Sequence, residues 1–141
     1  MSRGLTLPEM MAVLLIAGVA ASIAVPPLHR ALDRLAVDDA AERYASVHEL
    51  ARQMAVARSR LVRVELDTTR RTASILVAAQ GAWDTATTQS LGTANLSASR
   101  VAVTFSSLGI GFGVSNTRVV LAQGAAAETL TVSRTGRLRR S

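Results

Sequence analysis

The segment from Gly4 to Leu28 reads GLTLPEMMAVLLIAGVAASIAVPPL and places one acidic residue near the start of a long apolar run. From Met10 to Leu28 there are nineteen residues without a charged side chain. Because a transmembrane helix needs about 20 apolar residues at a rise of 1.5 Å each, this run is just long enough to span a bilayer. A charged Glu9 would cost about 2.5–3.5 kcal/mol at mid-membrane and less near the edge, so its presence needs a functional reason.

Two ordinary interpretations of this N-terminal segment compete. A secretory signal peptide could be cleaved after Ser22-Ile23-Ala24, but an acid and a proline interrupt the approach to its apolar core. A plain membrane anchor explains the length of the run, with Arg3 holding the N-terminus in the cytoplasm. Neither interpretation gives Glu9 a role.

A third interpretation uses every feature of the segment. The stretch Gly4–Glu9 (GLTLPE), after a short leader bearing Arg3, resembles the prepilin processing motif of type IV pilins and type II secretion pseudopilins. The resemblance implies that a prepilin peptidase cuts between Gly4 and Leu5 and methylates Leu5, where the family usually has Phe. It also implies that Glu9 acts in assembly, by pairing with the N-terminal amine of a neighbouring subunit. An unpaired charge in an apolar bundle is costly, so this pairing would fix the register of a filament.

Periodicity predicts how the chain continues beyond the apolar run. Apolar residues at helical spacing from Leu28 to Met54 indicate a helix that ends near Arg58 and has one apolar stripe. Five antiparallel strands are predicted after it, and residues 80–99 are predicted to be a loop. The strands are predicted at residues 61–66, 72–79, 100–105, 118–123 and 128–133.

These elements predict an α+β fold, in which a long N-terminal helix packs on an antiparallel β-sheet head as in pilins. We expect residues 1–4 to be a prepilin leader and residues 5–28 a transmembrane and assembly helix. Residues 29–60 would form the amphipathic helix of the head. Residues 61–141 would form a β-rich periplasmic head with a basic tail.

Three stretches of the head carry a narrower resemblance, namely Ala57–Arg60, Val101–Phe105 leading into Ser107-Leu108-Gly109, and Leu130–Arg139. Together with the N-terminal motif they are similar to the GspH/FimT family of minor pseudopilins. The resemblance implies a minor, tip-proximal filament subunit of a bacterial type II secretion system, which supports protein secretion across the outer membrane. It implies a single pass through the inner membrane, with the N-terminus cytoplasmic and the head periplasmic. The implied partners are other pseudopilins or pilins, the prepilin peptidase and secreted cargo.

The distribution of charge suggests a second function. All sixteen basic residues are arginines; residues 1–50 carry a net charge of −2 and residues 51–141 a net charge of +8. If the last strand extends through Arg139, then Arg137 and Arg139 lie about 6.6–7 Å apart on one face, which suits phosphate recognition. The stretch Gly136–Arg139 also resembles a tail that takes part in DNA binding in some FimT-type members. The alternative is therefore a minor type IV pilin that binds DNA for natural transformation through Arg137, Arg139 and Arg140, although a basic tail is usually just solvated.

Signals for catalysis are weak. The chain has no Cys, and His29 and His48 lie nineteen residues apart without paired carboxylates at ligand spacing. The glycine-rich stretch Gly109–Gly113 precedes a predicted strand rather than a helix, so a flexible turn is a better interpretation than a phosphate loop. We expect no enzymatic activity, no cofactor and no metal; the chain would instead be the substrate of the prepilin peptidase.

Overall fold

The structure, a computed structural model, describes residues 6–141 of the chain. Over these residues the chain forms one long helix followed by eight strands. Their bounds are α1 Leu7–Arg58, β1 Val62–Asp67, β2 Thr72–Ala79, β3 Ala82–Ser90, β4 Asn95–Ala98, β5 Ala102–Phe105, β6 Thr117–Gln123, β7 Ala126–Val132 and β8 Leu138–Arg140. The predicted end of the helix near Arg58 is confirmed.

The described part of the chain divides into two compact units, residues 6–32 and residues 33–141. In the first unit every side chain from Thr6 to Leu32 is exposed, and α1 continues without interruption through Pro26 and Pro27. Within residues 6–141, α1 is the single helix that is long and apolar enough to cross a membrane, judged by length and composition. Exposed apolar side chains on such a helix need a lipid or protein environment.

The second unit contains two antiparallel four-stranded sheets rather than the single five-stranded sheet predicted from the sequence. The strand orders are β3-β2-β1-β5 and β4-β6-β7-β8. The predicted α+β class, with a long N-terminal helix and an antiparallel β-rich head, is confirmed.

The prediction of a loop over residues 80–99 was wrong, because this stretch contains β3 and β4. Strand β3 lies at the edge of its sheet, pairs with β2 alone, and is exposed along most of its length. With little apolar surface to bury, it lacks the alternation that marks a half-buried strand. The signal for a strand in this part of the sequence is its several threonines, because their branched side chains favour an extended backbone.

The core forms where one face of α1 meets the inward faces of both sheets. The buried hydrophobic residues of this helix face are Val37, Ala40, Ala41, Tyr44, Val47, Ala51 and Ala55. Most of them are small, and the four alanines are completely buried. Ile75 and Phe105 from the first sheet and Leu121 and Leu130 from the second complete the same cluster.

One buried polar side chain, His48, joins α1 to the turn between β7 and β8. Its Nε2 lies 2.8 Å from the carbonyl oxygen of Gly136, and because a carbonyl only accepts, Nε2 carries the proton. The ring meets Phe105 edge-on, with centroids 4.9 Å apart. The other nitrogen of the His48 ring, Nδ1, is also buried, as is the hydroxyl of Tyr44. Neither atom has a hydrogen-bond partner among residues 6–141. Burial is the largest cause of the lowered pKa of His48.

Gly136 is required at this turn. Its φ of +81° lies in the left-handed region, and a Cβ there would lie 2.8 Å from Cε1 of Phe105. The absence of a side chain thus lets the turn approach both Phe105 and His48.

We expect the stability of the chain to fall as pH drops below about 6.5, the ordinary pKa of histidine. His48 is neutral in the folded state with a lowered pKa, so the unfolded chain binds more protons in this range. Stability should be constant above about pH 7 and should decline below it by at most about 1.4 kcal/mol per pH unit. Urea unfolding of the detergent-solubilised chain between about pH 7.5 and 5.5 measures this slope.

The variant His48→Gln should flatten the profile, because an amide can still donate to Gly136 but does not titrate in this range. His29→Gln is the matched control, since His29 is the other histidine of the chain and is exposed. A decline that persists in His48→Gln, or disappears in His29→Gln, would contradict this account.

Candidate functional site

The residues predicted to act in assembly lie at the start of α1. Gly4 and Leu5, the predicted cleavage and methylation positions, fall outside the described residues. Glu9 lies in the first turn of the helix, where its negative charge is favourable to the helix dipole. Its Oε2 accepts hydrogen bonds from the backbone N–H and the hydroxyl of Thr6, at 3.3 and 3.4 Å.

The contact between Thr6 and Glu9 is half of a capping box. In this arrangement a glutamate at the third helical position bonds back to the N–H of the residue that caps the helix. The carbonyl of Thr6 in turn accepts hydrogen bonds from the N–H groups of Glu9 and Met10, at 3.0 and 3.1 Å. The spacing Thr-x-x-Glu is the signal for this motif in the sequence. The carboxylate therefore has a local role in starting the helix, besides any role between subunits.

The three tail arginines predicted to contact DNA do not share one environment. Arg140 donates two hydrogen bonds to Glu128, at 2.5 and 3.0 Å, and its Nη2 lies 4.0 Å from Oδ1 of Asp38. The hydrogen bond to Glu128 is the main cause of the raised pKa of Arg140. This guanidinium joins β8 to β7 and is already engaged, whereas Arg137 and Arg139 are exposed.

Strand register places a further arginine beside Arg139. Arg139 of β8 lies opposite Thr131 of β7, which lies opposite Arg118 of β6. All three residues are exposed, and two strand spacings separate the arginines by about 10 Å. The pairing of the two strands continues to Arg137, because its carbonyl oxygen accepts a hydrogen bond from the N–H of Ser133 at 2.9 Å. Arg137 therefore lies two residues along the strand from Arg139 and on the same face. We call Arg118, Arg137 and Arg139 the row of arginines. Arg118 was not predicted, since nineteen residues separate it from Arg137 in the sequence.

This outward face of the second sheet carries no carboxylate from its own strands. Glu128, the one acid in β4, β6, β7 and β8, lies two residues from the buried Leu130 and so belongs to the opposite face. A cleft of about 420 Å³ adjoins the row, and Arg100, Arg118 and Thr131 are among its lining residues. Guanidiniums with nearby hydroxyl groups and no competing acid can bind phosphate or carboxylate groups.

Over residues 6–141 there is no group of three His, Asp or Glu side chains that could hold a metal ion. His48 is committed to the carbonyl of Gly136, and His29 lies in the apolar half of α1. Strands β6 and β8 of the second sheet, with their arginines, and the start of α1 are the described regions that carry chemistry for recognition.

Solved structures of two bacterial proteins have a similar fold. The type IV minor pilin FimU of Pseudomonas aeruginosa is 21% identical; the match covers 74% of this chain and 87% of FimU, with a TM-score of 0.62. The minor pseudopilin EpsH from the type 2 secretion system of Vibrio cholerae is 15% identical; that match covers 74% of this chain and 95% of EpsH, with a TM-score of 0.61. Neither protein-family models nor curated protein sequences match the chain. The resemblance inferred from the sequence is thus confirmed at the level of the fold.

Proposed function

We propose that the chain is a minor pseudopilin, a filament subunit that supports protein secretion by a type II secretion system. The observation that carries this proposal is the continuity of α1, which begins beside Glu9, runs through an exposed apolar segment, and contributes its far end to the core of a pilin-like head. The fold similarity to EpsH supports the secretion role. In this proposal the prepilin peptidase cuts between Gly4 and Leu5 and methylates Leu5. The head then lies in the periplasm, where it meets other pseudopilins and cargo.

Glu9 has two tasks in this mechanism. Both hydrogen bonds from Thr6 use Oε2, so the cap leaves Oε1 available to a second partner. The partner would be the amine of Leu5 on the adjoining subunit, which is positively charged. Pairing of these charges offsets the free-energy cost of an isolated carboxylate among packed apolar helices. The two groups can meet at only one axial register of the adjoining subunits, so the pairing selects that register.

The variant Glu9→Gln should insert in the membrane normally but should enter filaments poorly. Glutamine preserves the capping hydrogen bond and removes the charge, so the variant separates the two tasks of Glu9. Filaments sheared from cells that coexpress the remaining subunits, quantified by immunoblot against the membrane-bound pool, give the incorporated fraction. We expect that fraction to fall about tenfold or more, as for the loss of one buried charge pair.

The matched control is Thr6→Ala, which removes the hydroxyl of the cap and retains the charge. A cap residue contributes about 0.5–2 kcal/mol to helix stability, so this variant should incorporate nearly as well as the wild type. Wild-type incorporation of Glu9→Gln, or an equal defect in Thr6→Ala, would contradict the pairing mechanism.

The acid-free row of arginines favours a second function, that of a minor type IV pilin that binds DNA. Arg118, Arg137 and Arg139 lie on one exposed sheet face, about 7–10 Å apart. DNA carries a phosphate charge about every 3.4 Å of axis on each of its strands, so one duplex can offer each guanidinium a phosphate. The fold similarity to FimU is consistent with a pilin of this type. Arg140 has no part in this function because Glu128 engages it.

If this second function holds, the chain should bind duplex DNA weakly and without sequence preference. Each phosphate contact contributes about −0.9 to the slope of log affinity against log salt. Replacing Arg118 and Arg139 together by Gln should therefore flatten the slope by about two units, and it should leave the unfolding midpoint nearly unchanged. Fluorescence anisotropy of labelled DNA across about 50–200 mM salt measures the slope.

The control pair is Arg60→Gln with Arg70→Gln, because both residues are exposed and neither lies in the strands of the second sheet. An equal change in the salt slope of both double variants would indicate that DNA binds a general basic surface rather than the row of arginines. Absence of binding by the wild type at the lowest salt concentration would remove the DNA function.

A further inference from the structure

The segment between β5 and β6 exposes a cluster of large apolar side chains. We call residues 108–114 the apolar loop. Leu108 is 77% exposed and Phe112 is 55% exposed, and Ile110 and Val114 are exposed as well. Contiguous exposed apolar groups of this kind mark a surface that binds a protein or a membrane.

Backbone hydrogen bonds hold the apolar loop against the end of β5. The N–H of Ser106 donates to the carbonyl of Ile110 at 2.8 Å, and the N–H of Phe112 donates to the carbonyl of Thr104 at 2.8 Å. The N–H of Gly109 donates to the carbonyl of Ser106 at 2.9 Å. The loop therefore presents its side chains from a fixed backbone, and little conformational entropy is lost when a partner covers them.

The apolar loop lies at one end of the head. A Cβ at Gly109 would lie 2.9 Å from Cγ2 of Val56, and a Cβ at Gly111 would collide with the carbonyl oxygen of Arg134. Val56 is itself exposed and enlarges the apolar cluster. The head begins at Asp33, and at a rise of 1.5 Å per residue Val56 lies about 35 Å farther along α1. The loop is thus at the end of the head away from the residue where the apolar segment of α1 joins it.

Two arginines with no acidic partner flank the apolar loop. Arg134 and Arg137 are exposed in the turn before β8, and neither forms an ion pair with any of residues 6–141. Arg52, which also lies near the loop, differs from them because it pairs with Glu49 at 3.8 Å. The loop therefore combines protruding apolar groups with two positive charges that can bind an external anion.

An anionic lipid surface fits this combination better than a protein does. Guanidinium groups bind phosphate oxygens through paired hydrogen bonds, and phosphates lie at the surface of a bilayer. Apolar side chains that protrude can enter a fluid bilayer without a matching cavity, whereas a protein partner must supply a complementary packed surface. Apolar insertion and a basic patch are also the two signals that together hold a protein on a membrane.

We propose that the apolar loop inserts into the headgroup region of an anionic bilayer while Arg134 and Arg137 bind lipid phosphates. Because the loop lies at the far end of the head, this bilayer is a second membrane and not the one that α1 would span. The inference goes beyond the proposed filament role and does not rest on it. Its failure would therefore leave the assembly role of Glu9 standing.

The test uses the full-length chain in nanodiscs of phosphatidylcholine, which give α1 its own bilayer. The chain has no cysteine, so Ser107→Cys, exposed beside the loop, provides a unique site for a fluorophore and retains all four apolar side chains. Vesicles of phosphatidylglycerol and phosphatidylcholine that carry nitroxide-labelled acyl chains are then added. We expect saturable quenching of the fluorophore. Vesicles of phosphatidylcholine alone should bind at least about tenfold more weakly, since each arginine near an anionic surface contributes about fivefold in affinity.

Phe112→Ser, added to the labelled protein, tests the apolar contact. It should weaken binding to the anionic vesicles about tenfold, because it removes a large apolar side chain from the inserted surface. Leu35→Ser is the matched control, since Leu35 is 64% exposed and lies near the opposite end of the head. This control should bind as the wild type does.

The double variant Arg134→Gln with Arg137→Gln tests the charge contact. It should weaken binding about tenfold or more, as expected for two arginines that contact anionic lipid. Arg43→Gln with Arg70→Gln removes the same charge from positions that are already ion-paired with Asp39 and Asp67. This control pair should have little effect.

Absence of quenching by the anionic vesicles would overturn the proposal and leave a protein as the partner of the loop. Equal binding to phosphatidylcholine vesicles, or equal losses in the variants and their controls, would also contradict it. Displacement by inorganic phosphate, together with wild-type binding by Phe112→Ser, would show an anion site without membrane insertion. Quenching by nitroxide lipid placed in the nanodisc would show that the loop lies on the membrane of α1, and it would contradict contact with a second bilayer.

Discussion

The packing of one face of α1 against the two sheets is the contact on which the head depends. The helix contributes Ala40, Ala41, Ala51 and Ala55, all of them completely buried, to the same core cluster as Tyr44 and Phe105. A larger residue at any of the four alanine positions would overfill this closely packed core and displace the helix from the strands. The same helix carries the apolar segment and Glu9, so one continuous element serves both the fold of the head and the proposed assembly.

The helix face that is not used for the core has its own chemistry. The buried stripe consists of small apolar residues, and the opposite side carries carboxylates between two exposed leucines. Near the end of the helix, Arg52 lies beside Gly109, and the turn before β8 contains Arg134 and Arg137. Two of the helix carboxylates are ion-paired on the helix itself, Asp39 with Arg43 at 2.8 Å and Glu49 with Arg52 at 3.8 Å.

The long helix and several strands were predictable because their burial leaves a regular pattern. The stripe on α1 and the alternation in β1 and β5 report one buried face directly. Strand β3 left no such pattern, since its residues are mostly exposed. Likewise the alignment of Arg118 with Arg139 depends on the register of three strands, and the engagement of Arg140 depends on Glu128 across a hairpin. Such long-range relations have no local signature in a single sequence.

The most direct test of the filament account is the N-terminus of the protein extracted from bacterial membranes. Intact-mass analysis combined with N-terminal peptide sequencing identifies the first residue and any methyl group on its amine. The account predicts a chain that begins at Leu5 with a methylated amine, since assembly through Glu9 requires a free amine at that position. A chain that begins at Val25 would instead show cleavage by a signal peptidase, and an uncut chain beginning at Met1 would show a plain anchor; either result would contradict the account.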